Sequence, residues 1–443
     1  MVKNMRELNE CYADIIRNRY EENVISGKDA VKHMENSTAV FRGVPVACLY
    51  MPKLFTQPAW DYLNEAANTI ITIIDKVINR YMVDTEYRKL FPFPKELEEL
   101  ILTEAGYPRM LPIARLDIFF NEEDFSFQFC EFNADGASGM TECLEINAAV
   151  QKSDAFSEMS KMYNISTFEL FDTWVHEFMN IYNSYDKKVE NPRVVISDFM
   201  DKATPNEFKE FQKAFQRAGI HADICDIREL DFSKLDAIYR RAVTRDIMER
   251  KNEVKPFLES VRSLDKQKPC VIGHFRTQVI HTKSIFMIMR RPETLSFLTE
   301  KEQEYILRHI PETLPLPTTG PLPDGVLEQR SEWLVKPEDF YASKGVYAGI
   351  DMDPETWKKT VSEAQNSGVP YLLQKYCTPY RSLNIDFNNE TRPDFMMYNN
   401  ITGMYIYNGK LVGLYSRAGQ KGTISSLAEG KTLASMLAKP ISL

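Results

Sequence analysis

The chain has 443 residues, enough to bury the cores of two or three domains or of one large enzyme with lobes. A formal net charge of -9 and a sequence pI near 5.5 argue against nucleic acid as a partner. The 7 cysteines are scattered without a CxxC pair, and no stretch approaches the roughly 20 apolar residues of a membrane span. We therefore expect a cytoplasmic protein with reduced thiols and no membrane partner.

Residues 1–105 are predicted to be helical. Apolar residues recur at spacings of three and four over residues 5–27 and 58–81, which is the pattern of one buried helical stripe. Residues 95–104 have the pattern of a short amphipathic helix. Since the region carries no recognisable reactive motif, we expect it to pack against the rest of the protein and to shape the substrate site.

The most informative stretch of the sequence is 114–140. It contains two apolar strands, at 115–120 and 125–132, joined by an acidic turn, and therefore predicts a β-hairpin. Residues two apart share a face of a strand. One face of the hairpin consequently carries charged and amide side chains, which is unusual for a buried sheet.

That face holds Arg115 and Asp117 on one strand and Glu131 and Asn133 on the other, so the two couples are predicted to face each other. Two carboxylates and an amide oxygen are hard ligands, suited to Mg²⁺ bound together with nucleotide phosphates. The alternative is an ordinary solvated face, on which Arg115 forms surface ion pairs of little energetic worth with Asp117 and Glu131.

A glycine turn with Gly136 and Gly139 follows the hairpin and precedes a predicted helix at 141–150. Such a turn can present backbone N–H groups to an anion, although a simple strand-to-helix connection is the favoured interpretation. A further long helical segment, rich in aromatic residues and methionine, is predicted at 156–185.

Residues 193–240 predict a small α/β lobe with parallel strands. The pattern runs strand, helix, strand, strand at 194–199, 205–218, 221–225 and 235–239. No GxGxxG follows the first strand, so we do not expect a dinucleotide site. Arg240 and Arg241 end the third strand, where α/β sheets place ligands, although paired arginines are more often solvated.

Two lysines in the last third of the chain are predicted to lie near each other. The strand at 332–337 ends in Lys336, and the following loop of small residues carries Lys344. A fixed lysine and a mobile one can bracket a polyphosphate, while a solvated strand-loop-strand is the alternative. An earlier helix, predicted at 278–289, carries Lys283 near its beginning.

The remaining elements complete the C-terminal region. A strand is predicted at 371–376, with an end whose backbone would hydrogen-bond a purine edge. A hairpin with an Asn-Gly turn is predicted at 404–415, and Arg417 follows it. We expect a closing helix at 425–437, and the proline-rich cluster at 314–323 indicates a lobe boundary or an exposed linker.

Three passages together resemble the circularly permuted ATP-grasp family, in the branch that includes the synthetase domain of glutathionylspermidine synthase. They are ARLD followed by CEFNADGASGM, the lysine pair of WLVKP and SKGV, and YLLQKY followed by NGKLVGLYSRAG. The specific signal is their combination in permuted order, with the carboxylate hairpin before the lysines. The likeness spans residues 106–443, and no preceding amidase domain is expected.

The resemblance implies an α/β (α+β) ATP-grasp fold, circularly permuted, with a small pre-ATP-grasp-like lobe. It divides the chain into a helical N-terminal region at 1–105, the metal-binding hairpin part of the ATP-grasp domain at 106–190, the small parallel α/β lobe at 191–280, and the ATP-binding part of the ATP-grasp domain at 281–443.

By the same resemblance, the cofactors are ATP and Mg²⁺. Asp117, Glu131 and Asn133 would hold the metal, and Arg115 would steady the transferred phosphoryl group and the tetrahedral species. The residues implied to contact the nucleotide are Lys336, Lys344, Gln374, Lys375, Tyr376 and Arg417. The implied reaction joins a small-molecule carboxylate to an amine through an acyl phosphate, releasing ADP and phosphate.

Two alternatives stay open. A catalytically weak ATP-binding partner or regulatory protein is favoured by the few glycines around Lys344, but every candidate metal and phosphate residue has the chemical type that catalysis needs. A small-molecule kinase using the same site would release a phosphorylated product and no amide. The sequence leaves the identity of the acid, the amine and the oligomeric state open.

Overall fold

The computed structural model describes residues 4–203, 205–263, 268–338, 344–388, 392–424 and 429–441. Its helices are α1 (Met5–Asn18), α2 (Tyr20–Glu35), α3 (Gln57–Val83), α4 (Thr85–Arg88), α5 (Lys95–Ile101), α6 (Met140–Val150), α7 (Asp154–Met159), α8 (Phe171–Asn183), α9 (Pro205–Arg217), α10 (Thr244–Glu249), α11 (Lys255–Arg262), α12 (Gln278–His281), α13 (Ile285–Met289), α14 (Pro292–Leu295), α15 (Glu300–His309) and α16 (Pro354–Asn366).

The strands are β1 (Val40–Phe41), β2 (Val44–Pro45), β3 (Lys53–Phe55), β4 (Ile113–Phe120), β5 (Phe127–Asn133), β6 (Tyr163–Thr167), β7 (Val194–Asp198), β8 (Ala222–Asp226), β9 (Ala237–Arg240), β10 (Cys270–Ile272), β11 (Thr313–Pro315), β12 (Trp333–Pro337), β13 (Tyr347–Ala348), β14 (Tyr371–Lys375), β15 (Arg381–Ile385), β16 (Phe395–Tyr407), β17 (Lys410–Gly419), β18 (Lys431–Leu433) and β19 (Ser435–Pro440).

The predicted N-terminal helices are confirmed, with two differences. The segment predicted as one helix at 5–27 is two helices, because Arg19 leaves the helical conformation with φ -132° and ψ 49°. The short strands β1, β2 and β3 also interrupt the helical region. The α3 helix begins at the N-cap Thr56, and its apolar stripe is buried in the main core, as its spacing predicted.

Two antiparallel sheets frame the middle of the molecule. The central sheet has the order β18-β17-β16-β4-β5, with β15 also pairing with β16. The small sheet has the order β11-β14-β12-β13. The predicted hairpins, β4-β5 and β16-β17, therefore both lie in the central sheet, whereas the lysine-bearing strand β12 lies in the small one.

The predicted α/β lobe is also confirmed as a parallel arrangement. Its order is β10-β9-β7-β8, and the described pairs β7-β8, β7-β9 and β9-β10 are all parallel. The helix α9 connects β7 to β8, as its pattern predicted. None of the helices in the described part of the chain combines the length and the apolar character that crossing a bilayer requires.

Two helix predictions are wrong, and both errors arise in one sheet. The closing helix expected at 425–437 is instead β18 and β19 over its described part, while 425–428 lie outside the described residues. The helical segment predicted at 156–185 contains β6 between α7 and α8. Because β19 pairs with both β3 and β6, contacts distant in sequence override the local helical preference of these segments.

Candidate functional site

A cavity of about 90 Å³ lies between the central sheet and the small sheet. Side chains of β4, β5 and β17 line it on one side, and side chains of β12 and β14 line it on the other. Its charged lining residues are Asp117, Glu131, Lys283, Lys336 and Arg417. The acidic hairpin and the strand-end lysine therefore share one cavity.

The hairpin register agrees with the sequence prediction. Asp117 pairs with Glu131, and Arg115 pairs with Asn133. Arg115 binds Asp117 through two hydrogen bonds, Nε to Oδ1 at 2.7 Å and a terminal nitrogen to Oδ2 at 2.9 Å. The Asn133 amide donates to the same Oδ2 at 3.1 Å. Asp117 thus has its position fixed by two neighbours.

The alternative of a solvated hairpin face is wrong in one respect and right in another. An Arg115–Asp117 ion pair is present, as that alternative expected. However, the Arg115 and Asp117 side chains are only 9% and 3% exposed, so the pair is not a surface pair. Burying two charged groups is costly unless they are well satisfied, which makes this face a candidate for function.

Gly403 on β16 leaves the room that the Arg115–Asp117 pair occupies. A Cβ atom at this position would lie 2.7 Å from Asp117 Oδ1 and 2.8 Å from Arg115 Cδ. Because Gly403 pairs with Asp117 across the strands, any larger residue would displace the pair. Sequence reasoning missed this glycine, since the requirement arises from a strand far away in the chain.

A tyrosine ring lies close to two guanidinium groups beside the carboxylates. The Tyr415 ring centroid is 5.0 Å from the Arg115 guanidinium carbon and 5.3 Å from that of Arg417. The Tyr415 hydroxyl donates to Glu142 on α6. A terminal nitrogen of Arg417 lies 3.9 Å from Asp117 Oδ2, so Arg417 also faces the acidic residues of the cavity.

Lys336 is buried at the end of β12 and faces the cavity. Its Nζ donates to Gln374 Oε1 at 3.0 Å and to the Cys130 carbonyl at 3.4 Å. Burial and, after it, the charge of Lys283 lower the pKa of Lys336 to about 8, while Glu131 opposes this shift. This lysine therefore changes its charge in a range close to neutral pH.

Lys283 is the main site residue that the sequence analysis did not assign. Its Nζ lies 3.3 Å from Glu131 Oε1. Burial raises the pKa of Glu131, but Lys283 and Lys336 outweigh it and hold that pKa below its usual value. The only sequence signal was a lysine near the start of a predicted helix.

The predicted helix at 278–289 is in fact broken at Lys283. The α12 helix ends at His281 and α13 begins at Ile285. Thr282 is extended, with ψ 136°, and the Lys283 N–H donates to the Glu338 carbonyl at 3.2 Å. The break places Lys283 beside the carboxylate hairpin, where a continuous helix would have directed it elsewhere.

Three predicted nucleotide contacts take different positions from one another. Gln374 and Tyr376 line the cavity. Lys375 points away from it, with Nζ 2.9 Å from Glu332 and 4.1 Å from the Trp333 ring centroid. The alternation of a strand explains this, because successive side chains point to opposite faces.

The structure supports two further predicted nucleotide contacts, the Tyr376 backbone and the Lys344 side chain, less directly. The Tyr376 N–H donates to the Glu332 carbonyl at 2.8 Å, so a purine edge would have to use other backbone atoms of this strand end. Lys344 is exposed and is not among the described lining residues of the cavity. The loop before it, at 339–343, lies outside the described residues, so its closure over phosphate stays a prediction.

The oxygen donors of the hairpin are of the chemical type that Mg²⁺ prefers. Asp117 and Glu131 are cross-strand neighbours, and the Asn133 amide contacts Asp117. Among the described residues, no group of three or more His, Cys, Asp or Glu side chains is placed to hold a metal ion. Magnesium here would take its other ligands from phosphate oxygens and water, as it commonly does.

The glycine turn after the hairpin is already filled by a protein carboxylate. Glu207 on α9 accepts hydrogen bonds from the N–H groups of Gly139 at 3.0 Å and Met140 at 2.9 Å. Its other oxygen is 2.7 Å from Arg241. The N–H groups of this turn therefore bind a carboxylate of the protein itself. This supports the favoured interpretation, a structural connection between strand and helix.

The helices, the parallel sheet and the two antiparallel sheets together define a mixed α/β fold. A structural comparison finds a glutathione synthetase-like effector from Globodera pallida, solved in its apoform, with a TM-score of 0.59 and 10% sequence identity, covering 94% of this chain and 96% of that one. This likeness shows a shared fold. D-cycloserine synthetase DcsG is 13% identical over 55% of this chain and 91% of its own, and its TM-score of 0.27 is too low to show a shared fold. The sequence matches no protein-family profile and no curated protein.

Proposed function

We propose that the protein is an ATP- and Mg²⁺-dependent carboxylate-amine ligase that releases ADP and phosphate. The observation that carries this proposal is the cavity between the two antiparallel sheets. Its described lining residues include three cations, Lys283, Lys336 and Arg417, beside the carboxylates Asp117 and Glu131. A cavity of this kind suits a ligand with several negative charges, such as a triphosphate.

In this proposal Lys336 and Lys283 contact the phosphates, and Gln374 and Tyr376 meet the adenine side of the nucleotide. Their places on the cavity wall support these roles. Lys344 and Lys375 are further proposed contacts, through the loop and through the strand backbone. Phosphoryl transfer requires positioning and charge neutralisation rather than a protein nucleophile, which agrees with this set of residues.

The acidic couple has the complementary role. Asp117, Glu131 and Asn133 would hold Mg²⁺, which when bound neutralises charge on the phosphate oxygens. Arg115 keeps Asp117 in place and is proposed to steady the transferred phosphoryl group. A substrate carboxylate would attack the γ-phosphorus, ADP would leave, and an amine would then displace phosphate from the acyl phosphate to form an amide.

We further propose the relationship to the circularly permuted, glutathionylspermidine synthase-like branch, with parts at 1–105, 106–190, 191–280 and 281–443. The order of the elements supports it, since the carboxylate hairpin β4-β5 precedes the lysine strand β12 in the chain. Small-molecule substrates and a cytoplasmic location belong to the same proposal.

A nucleotide-binding protein with little turnover is the second candidate. The observation that favours it is the Arg115–Asp117 pair, because both Asp117 oxygens already accept hydrogen bonds from one guanidinium group. Catalysis would require the incoming magnesium to compete with this guanidinium. The two candidates share nucleotide binding and differ in turnover.

The test combines binding with product analysis. We expect ATP with Mg²⁺ to raise the melting temperature, and ADP release to depend on pooled amino acids and polyamines. Glu131→Gln should lower the turnover by roughly 100-fold or more, since it removes a preorganised charge from the site. Glu332→Gln is the matched control, because Glu332 is exposed and pairs with Lys375 outside the cavity.

The outcomes separate the candidates. A melting-temperature shift without ADP release would support the nucleotide-binding candidate. A stable phosphorylated product without an amide would indicate a kinase. Release of AMP instead of ADP would contradict the acyl-phosphate route, and unaltered turnover in Glu131→Gln would remove the proposed metal site.

A further inference from the structure

A second cleft, of about 610 Å³, lies at the carboxyl ends of β7 and β9 in the parallel sheet. The chain passes from β7 through α9 to β8 on one side of β7, and β9 pairs on the other side. This is a topological switch point, where open α/β sheets bind ligands. The cleft therefore has the position of a binding site for reasons independent of the cavity.

Asp198 ends β7 and lines this cleft. Its carboxylate accepts a hydrogen bond from the Phe199 backbone N–H at 2.7 Å. The positive charge of Arg241 also acts on Asp198, but Arg241 is already paired with Glu207 at 2.7 Å. Burial raises the pKa of Asp198 to about 7, because Arg241 only partly compensates for it.

The other acidic residues of the cleft have partners of their own. Asp246 is 2.8 Å from Lys202, and Asp201 is 2.9 Å from Arg250. Arg42, Lys202 and Arg241 line the cleft as well. Among the described residues, Asp198 is the acidic lining residue without an ion-pair partner of its own. A cationic group on a ligand would supply the missing counter-charge.

The cleft also borders the proposed reaction centre. Ser138 lines the cleft, and its carbonyl oxygen accepts a hydrogen bond from Arg115 at 2.7 Å. Arg115 in turn holds Asp117, which lines the nucleotide cavity. The cleft and the nucleotide cavity are therefore connected through the contacts of Arg115 with Ser138 and Asp117.

We propose that this cleft binds the amine-bearing substrate, whose ammonium group pairs with Asp198. The inference rests on the proposed ligase function, because it assigns the second substrate of that reaction to a place. The chemical class is a small molecule with a primary ammonium group.

The test measures amine binding directly, on the full chain, by isothermal titration with glycinamide and with putrescine. We expect at least one of these amines to bind, and Asp198→Asn to weaken that binding by about tenfold or more, because a charge-assisted hydrogen bond is lost. Asp223→Asn is the control, since Asp223 lies on the neighbouring strand β8, is 62% exposed and is not among the lining residues. It should bind both amines as the unmodified protein does.

The variant should still fold, because the amide oxygen introduced by Asp198→Asn can accept the same Phe199 N–H. Equal amine affinity in Asp198→Asn, or no binding of either amine to the unmodified protein, would overturn the inference. The melting-temperature shift with ATP is recorded in parallel. Its absence from the unmodified protein would overturn the ligase proposal, whereas its persistence in Asp198→Asn would show that the nucleotide cavity is intact.

Discussion

Two buried clusters of charged side chains differ in how well their charges are matched. The anchor cluster contains two ion pairs. Arg240–Asp135 at 2.6 Å joins the α/β lobe to the loop after the hairpin, and Arg241–Glu207 at 2.7 Å lies within the lobe. The cavity cluster contains Asp117 and Glu131 with an excess of lysine and arginine around them. Both clusters are largely inaccessible to water, so burial alone does not distinguish them.

This difference distinguishes buried charges that stabilise the structure from buried charges that are proposed to bind a ligand. In the anchor cluster each cation has its own carboxylate, and the four side chains are at most 4% exposed. In the cavity cluster, burial and then the charge of Lys283 lower the pKa of Lys336 to about 8. A polyanion would complete the second cluster, whereas the first is already complete.

The largest predicted effect comes from breaking the matched cluster. Arg240→Met leaves Asp135 buried without its ion-pair partner, so we expect the free energy of unfolding to fall by about 3–5 kcal/mol. Lys283→Met, in the cavity cluster, should lower it by less than Arg240→Met does, because the Glu131 side chain is 27% exposed and Lys336 still acts on it. Urea denaturation at constant pH measures both values.

The same two variants also provide the control for function. Lys283→Met should weaken the ATP-induced rise in melting temperature, while Arg240→Met should retain it at temperatures where the protein is folded. A larger loss of stability in Lys283→Met than in Arg240→Met would contradict the division into a structural and a functional cluster.

Asp198 extends the comparison to an unmatched acid, with a smaller effect. Its pKa is about 7 in the folded protein and 3.8 in the reference state, so the folded protein holds the proton more tightly. Stability contributed by the protonated group is present at low pH and is lost as the pH rises to about 7. We expect Asp198→Asn to be more stable than the unmodified protein above this pH, by roughly 1–3 kcal/mol.

Urea denaturation at pH about 4 and pH about 8 checks this prediction, since the stabilisation should be present only at the higher value. Arg241, Asp246 and Arg240 are the other charged groups that act on Asp198, and they are unchanged in the variant. A variant that is less stable at both pH values would mean that the Asp198 carboxylate is well compensated, which would also weaken the argument for an amine site.

How far the sequence predicts this molecule depends on the range of the contacts involved. The hairpin register, and with it the Asp117–Glu131 couple, follows from a period of two over adjacent strands. Lys283 and Gly403 reach the same site through folding of distant segments, so no local pattern indicates them. The closing helix fails for the same reason, because β19 is defined by its partners β3 and β6.

The glycine turn shows a second limit of sequence reasoning. Its geometry indicates a place for an anion, but the sequence does not reveal that Glu207 supplies it from α9. In the same way, Arg240 and Arg241 end a strand where ligands are expected, yet both are committed to protein carboxylates. Local patterns identify groups able to bind, and the fold decides which of them are already satisfied.

The smallest predicted effect is the pH dependence of ATP binding. Lys336 has a pKa of about 8 in the free protein, with Lys283, Glu131, Cys130 and Cys377 acting on it. Below that pH it is charged and attracts phosphate, and above it the binding of ATP must first take up a proton. The dissociation constant for ATP should therefore rise above pH about 8, toward about tenfold per pH unit. Titration of ATP across this range measures the effect.

Lys336→Arg should flatten the profile because arginine stays charged, whereas Lys375→Arg should retain it, since Lys375 pairs with Glu332 outside the cavity. A flat profile in the unmodified protein would mean that the charge of Lys336 does not contribute to ATP binding in this pH range.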